Sequence, residues 1–161
     1  MPKLLVLLSA GSTELASLAD AVLEGARSVR FAEVDVRTFG AADDTVPSRK
    51  PLSGSDELAS YDGIVIGVGD VEGRSFHETL ARSDGSLTNK VGSAFTTESD
   101  AARTAVLWST FSAMADRGMI LVPLPFSGEE VASADACRLM GKRVAEVVGW
   151  VTHARSHHHH H

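Results

Sequence analysis

The chain reads as an α/β protein, a three-layer sandwich with a five-stranded parallel sheet in the middle. Two observations carry this expectation. Short runs that are apolar at every position alternate with longer stretches whose apolar residues recur at helical spacing. Strands joined through helices run parallel and are covered on both faces, so they lose the in–out alternation of a half-exposed strand.

Each element has its own signature. Leu4 to Leu8 is a continuous apolar run, and Leu15, Leu18, Ala19, Val22, Leu23 and Ala26 then share one helical face. Phe31, Val34 and Val36 mark a second, more polar strand towards the sheet edge. From Thr38 to Ser55, Gly40, Pro47, Pro51 and Gly54 stand among small polar residues, which reads as a long surface loop. Gly63 to Val68 is a third buried strand, and a helix is expected over Arg74 to Arg82. Val91 to Phe95 is the fourth strand. Leu107, Trp108, Phe111, Met114 and Ala115 follow as the apolar face of the next helix, where core packing is the default role of Trp108 and Phe111. Gly118 stops that helix, and Met119 to Leu124 reads as a fifth, fully apolar strand. Ala136, Met140, Arg143, Val144, Val147, Val148 and Val151 line the last helix, on which Cys137 reads as a small apolar residue. Residues 1–153 form one domain. Residues 154–161, ending in His157 to His161, read as vector-derived with a purification tag, so those histidines support no metal site.

The composition narrows the function classes. A formal charge of −6 with no basic cluster argues against nucleic acid or an anionic membrane as partner. A small molecule suits the chain better. The longest apolar run is too short to span a bilayer, and a cytoplasmic location is expected. The lone cysteine excludes an internal disulfide and a cysteine metal cluster.

With strand order 2-1-3-4-5, the loops after strands one, three and four converge at the switch point of the sheet, where ligands of this architecture bind. Those loops run from Ser9 to Glu14, Gly69 to Arg74 and Thr96 to Arg103. Five carboxylates sit in them: Glu14, Asp70, Glu72, Glu98 and Asp100. Taken singly, acidic residues in first helical turns simply complement the helix dipole. Two that faced each other would push one pKa up and set a general acid beside a general base, which makes Asp70 and Glu98 catalytic candidates. His77, on the helix expected after the second loop, is a candidate proton donor, with a solvated helix histidine as the competing reading.

Several segments carry a family resemblance. They are Lys3-Leu-Leu-Val-Leu, Ala19-Asp-Ala-Val-Leu-Glu-Gly-Ala26, Glu57-Leu-Ala-Ser-Tyr-Asp-Gly-Ile-Val-Ile-Gly67, Lys90 to Phe95, Trp108-Ser-Thr-Phe, Arg117-Gly-Met-Ile-Leu-Val-Pro123 and Gly141-Lys-Arg-Val-Ala-Glu. On these the chain resembles the WrbA-type NAD(P)H:quinone oxidoreductases, a flavodoxin-like family that binds FMN, and the likeness spans nearly the whole sequence. The resemblance implies a flavodoxin-like fold, FMN as cofactor, NAD(P)H as electron donor and a homodimer. It places Ser9, Ala10, Gly11, Ser12 and Thr13 on the FMN phosphate, Gly69, Asp70 and Val71 along the flavin ring, and Thr96, Thr97, Glu98 and Ser99 at its far edge.

The loops diverge from the family pattern. A Thr-Pro-Thr-Arg-like segment is replaced by Val68-Gly69-Asp70-Val71-Glu72-Gly73, the third loop lacks the family's glycines, and Asp116-Arg117 stands where the family has a histidine pair. The segment between strand five and the last helix is shortened to Pro125 to Ala132. Two function classes therefore follow. One is an FMN-dependent NAD(P)H oxidoreductase of the quinone type with a divergent flavin site. The other is a flavin-free member whose acidic pocket binds a small molecule for acid–base chemistry, or which serves as an interaction module.

Overall fold

A computed structural model of the chain describes residues 2–9, 13–30, 32–39, 50–69, 80–83, 85–98, 100–123 and 133–158. In chain order the elements are β1 (Lys3–Ser9), α1 (Thr13–Arg27), β2 (Glu33–Phe39), β3 (Lys50–Pro51), α2 (Ser55–Leu58), β4 (Gly63–Val68), β5 (Val91–Thr96), α3 (Asp100–Asp116), β6 (Ile120–Leu121) and α4 (Ala134–His158). The six strands form one sheet in the order β3-β2-β1-β4-β5-β6, and every neighbouring pair is parallel.

The all-apolar strands are apolar because both of their faces are covered. Leu4, Val6 and Leu8 enter one core with α1 and α4, while Leu5 and Leu7 enter a second core on the opposite face with Ile64, Ile66 and Met114. All six residues of β4 and all six of β5 are buried. On the first face α1 and α4 approach closely. A Cβ on Gly25 would lie 1.9 Å from the Arg138 carbonyl oxygen, and one on Gly141 would lie 2.1 Å from that of Val22. Only glycine permits this crossing.

Three expectations need correction. The segment from Thr38 to Ser55 is not wholly loop: Lys50 and Pro51 add an edge strand against Arg37 and Thr38, continued by a 2.7 Å hydrogen bond from the Leu52 N–H to the Thr38 carbonyl. Two residues offer no periodicity to read, and a proline suits an edge because its missing N–H leaves no ladder bond unmade. The last strand begins at Ile120 rather than Met119, whose N–H closes the helix before it; Ile120 and Leu121 pair with β5, the Val122 N–H reaches the Gly92 carbonyl at 2.9 Å, and Leu124 lies outside the described residues. Ile120 and Leu121 are 37% and 36% exposed, because β6 borders the sheet among the described strands.

The third correction concerns α3. Leu107 and Met114 are buried and Phe111 packs against the second core, but Trp108 is 75% exposed and Ala115 is exposed. Residues at i, i+4 and i+7 lie within about 60° of one another on a helix, whereas i+1 lies about 100° away. The contact face is the narrow stripe, and Trp108 falls off it.

Other expectations hold. Gly118 takes φ 77°, the Met119 N–H reaches the Met114 carbonyl at 3.2 Å and the Gly118 N–H reaches that of Ala115 at 2.9 Å, a Schellman ending for α3. Of the helix expected over Arg74 to Arg82, Leu80 and Ala81 are helical and residues 71–79 lie outside the described residues. The α4 helix runs on through Ser156 to His158. Among the described residues no helix is long and apolar enough to cross a membrane.

Candidate functional site

The site is built at the carboxyl edge of the central strands. Leu8, Gly67 and Phe95 stand side by side in register across β1, β4 and β5, and Val68 is paired with Thr96 one step further on. The three chains therefore leave the sheet at one level. Beneath them the floor is apolar, with Leu8 2% exposed and Phe95 fully buried. A Cβ on Gly67 would meet the Phe95 ring at 2.6 Å and the Leu8 side chain at 2.8 Å, so this glycine is what lets Phe95 lie across β4.

Beyond β5 the chain turns on Thr96. Its side chain is buried and its hydroxyl accepts a hydrogen bond from the Glu98 N–H at 3.2 Å, a local turn that leaves Thr97 and Glu98 half-buried at the edge. Asp100 then opens α3. Ser9 ends β1, and Thr13 opens the 15-residue α1 after a short connection. The first N–H groups of such a helix have no partner within it and carry the positive end of its dipole.

Of the residues singled out in the sequence, Ser9, Thr13, Gly69, Thr96, Thr97 and Glu98 belong to this edge. Ala10, Gly11, Ser12, Asp70, Val71, His77 and Ser99 lie outside the described residues, and so does Glu72 of the acidic group. Glu14 is exposed in the first turn of α1. Its carboxylate is therefore hydrated.

Arg103 is the residue that the sequence reading passed over. It lies in the first turn of α3 and is 8% exposed, so a cation is buried directly after the third loop. Its charge reaches Cys137, near the start of α4. There burial pushes the thiol up to about 11, and the Arg103 charge opposes that shift. The only sequence signal was an arginine in a helical turn where acidic residues are favoured.

No family model matches the chain. An NAD(P)H dehydrogenase (quinone) of Acidithiobacillus ferrooxidans is 31% identical over 154 residues, covering 84% of this chain and 77% of that protein. The chain belongs to this quinone dehydrogenase family. Solved structures of low identity share its fold. Diflavin flavoprotein A3 of Nostoc sp. is 19% identical with a TM-score of 0.60, covering 98% of this chain and 97% of its own. A flavodoxin of Streptococcus pneumoniae is 12% identical with a TM-score of 0.64, covering 91% and 97%. The flavoenzyme NAD(P)H:(acceptor) oxidoreductase FerB of Paracoccus denitrificans is 12% identical with a TM-score of 0.61, covering 94% and 98%. The chain is thus flavodoxin-like in fold, as its sequence predicts, with one strand added at the β2 edge.

The described residues of this edge fit a flavin. The α1 N-terminus opens at the edge, Glu14 in its first turn is exposed, and a buried cation stands by the third loop. The floor under the edge is apolar and buried.

Proposed function

We propose that the protein is a flavin-dependent NAD(P)H oxidoreductase of the quinone-reducing type, with FMN held at the carboxyl edge of β1, β4 and β5. The observation that carries this is the level row Leu8, Gly67, Phe95, from which all three loops leave over an apolar floor beside the α1 N-terminus. Membership of the quinone dehydrogenase family supports it.

Each group then has a task. Backbone N–H groups from Ser9 to Thr13 hold the phosphate at the α1 N-terminus, with the hydroxyls of Ser12 and Thr13 adding donors. Gly69, Asp70 and Val71 border one side of the ring system. Thr96, Thr97, Glu98 and Ser99 border the other, where the Thr96–Glu98 bond fixes the backbone of the turn. The buried charge of Arg103 favours a ligand that is anionic or gains electrons. Leu8 and Phe95 keep water from below. Held by these residues, FMN would supply the two-electron chemistry that links hydride donation by NAD(P)H to reduction of a quinone-type acceptor.

Titration of FMN with the purified protein tests this. Saturable quenching of flavin fluorescence at micromolar protein, followed by quinone-dependent oxidation of NAD(P)H, is the expected result; flavin fluorescence that never changes overturns the proposal. Glu98→Gln separates redox from acid–base chemistry. It should leave quinone reduction nearly unchanged, whereas loss of a general acid or base would cost roughly 10²–10⁴-fold.

A further inference from the structure

The row that floors the edge has a fourth member. Thr38 of β2 is in register with Leu8, so the row across the sheet reads Thr38, Leu8, Gly67, Phe95. Paired residues of neighbouring strands point to the same face. Here that face is the one covered by α1 and α4, against which Val34 and Val36 of β2 also pack. Thr38 is the one polar side chain of the row. One residue further on, β1 and β2 end together at Ser9 and Phe39, and Thr13 opens α1 over the same face.

The hydroxyl of Thr38 lacks a partner. The side chain is 3% exposed, and its oxygen makes no hydrogen bond among the described residues. The other buried hydroxyls among the described residues are all bonded. Ser83 donates to the Leu80 carbonyl, Ser93 to that of Val122 and Thr110 to that of Val106, while Thr96 accepts from the Glu98 N–H. The Thr38 carbonyl is also satisfied, by the Leu52 N–H at 2.7 Å, so only the side chain is left over. A buried hydroxyl without a bond costs stability, and valine would fill nearly the same space without that cost.

The place of the hydroxyl says which ligand group suits it. A single hydroxyl does not hold a water, which needs two or more polar partners. An anion already fixed by the first N–H groups of α1 needs only one more donor, and its bond to a hydroxyl is charge-assisted. A phosphate has oxygens enough for both. The flavin ring does not suit the position, because β2 lies on the opposite side of β1 from β4 and β5, whose loops border the ring.

We propose, on the reading that FMN occupies this edge, that Thr38 is a further phosphate-binding residue of the site, its hydroxyl donating a hydrogen bond to a phosphate oxygen seated at the α1 N-terminus. β2 then contributes to the site together with β1, β4 and β5. The hydroxyl also selects for a phosphorylated flavin over its dephosphorylated form.

Fluorescence titrations of FMN and of riboflavin with wild type, Thr38→Val and Thr38→Ser test this, together with urea denaturation of the three ligand-free proteins. Thr38→Val should weaken FMN binding roughly ten- to hundredfold, the worth of a hydrogen bond to a charged group, and leave riboflavin binding unchanged. Without ligand it should be as stable as wild type or more so, since it loses an unbonded hydroxyl. Thr38→Ser keeps the hydroxyl and should keep the preference for FMN. A hydroxyl that serves only the fold predicts a Val variant that is less stable without ligand and loses affinity for both flavins alike. That outcome, or a Val variant that binds FMN as tightly as wild type does, overturns the role of Thr38 and leaves the flavin reading standing. Wild type that binds no FMN overturns both.

Discussion

Tyr61 and Cys137 are buried groups that keep their protons well beyond the usual range. Burial raises the Tyr61 phenol from 10.0 to about 12, and its hydrogen bond to Asp35, 2.9 Å long, adds to the shift together with the Asp35 charge. Burial raises the Cys137 thiol from 9.0 to about 11. In both cases the folded pKa lies above the unfolded one, so the native state holds a proton that the unfolded chain gives up. The associated stability is complete below about pH 9 and is lost as the pH rises, through 9 to 11 for Cys137 and 10 to 12 for Tyr61. Urea denaturation at a series of alkaline pH values checks this. Tyr61→Phe should flatten the decline above pH 10 while costing about 1 kcal/mol at neutral pH for the lost hydrogen bond; an unchanged alkaline slope would contradict the assignment. The single cysteine was legible as an apolar packing residue from composition alone. The burial of Arg103 was not, because a charged residue in a loop-to-helix stretch reads as solvated until the elements around it are known.

Helices and strands were legible where their periodicity was long, and unreadable where an element is two residues or is decided by its neighbours. α1 presents Leu15, Ala19, Val22, Leu23 and Ala26 inward as its spacing predicts, because a 15-residue helix repeats its pattern several times. β3 escaped notice because Lys50 and Pro51 have no pattern, and the exposure of Ile120 and Leu121 in β6 was not readable because apolar composition does not distinguish a covered strand from a bordering one. Trp108 shows the same limit within a helix: how wide a stripe is buried depends on what covers it. The α1–α4 crossing gives the sharpest consequence for packing. Gly141 sits against the backbone of Val22, where no side chain can move aside. Gly141→Ala should destabilise the fold by about 1–3 kcal/mol, the usual cost of overpacking, with the helices forced apart. Chemical denaturation measures this directly, and a variant as stable as wild type would mean that the helices part at no cost.

The central architecture followed from pattern alone, since all-apolar strands alternating with amphipathic helices have few solutions other than a parallel sheet covered on both faces. The proposed flavin site can be read at the scale of the whole molecule. If FMN occupies it, a concentration of 100 times the dissociation constant stabilises the protein by about 2.7 kcal/mol. For a chain of this size that raises the melting temperature by roughly 5–10 °C. Thermal unfolding followed by circular dichroism should record this shift with FMN and a much smaller one with riboflavin, which lacks the phosphate that the α1 N-terminus is placed to hold. Equal shifts for the two would remove the phosphate from that position.

Local chemistry settled the strand and helix types, the fold class and the three strand ends that lie at one edge, because periodicity and glycine or proline breaks act over a few residues. Only the tertiary structure decided which side chains those elements cover. The burial of Arg103 beside Cys137, the exposure of Trp108, the partial exposure of Ile120 and Leu121 in β6 and the burial of the Thr38 hydroxyl all depend on contacts between segments far apart in the chain. No spacing within a single segment records them.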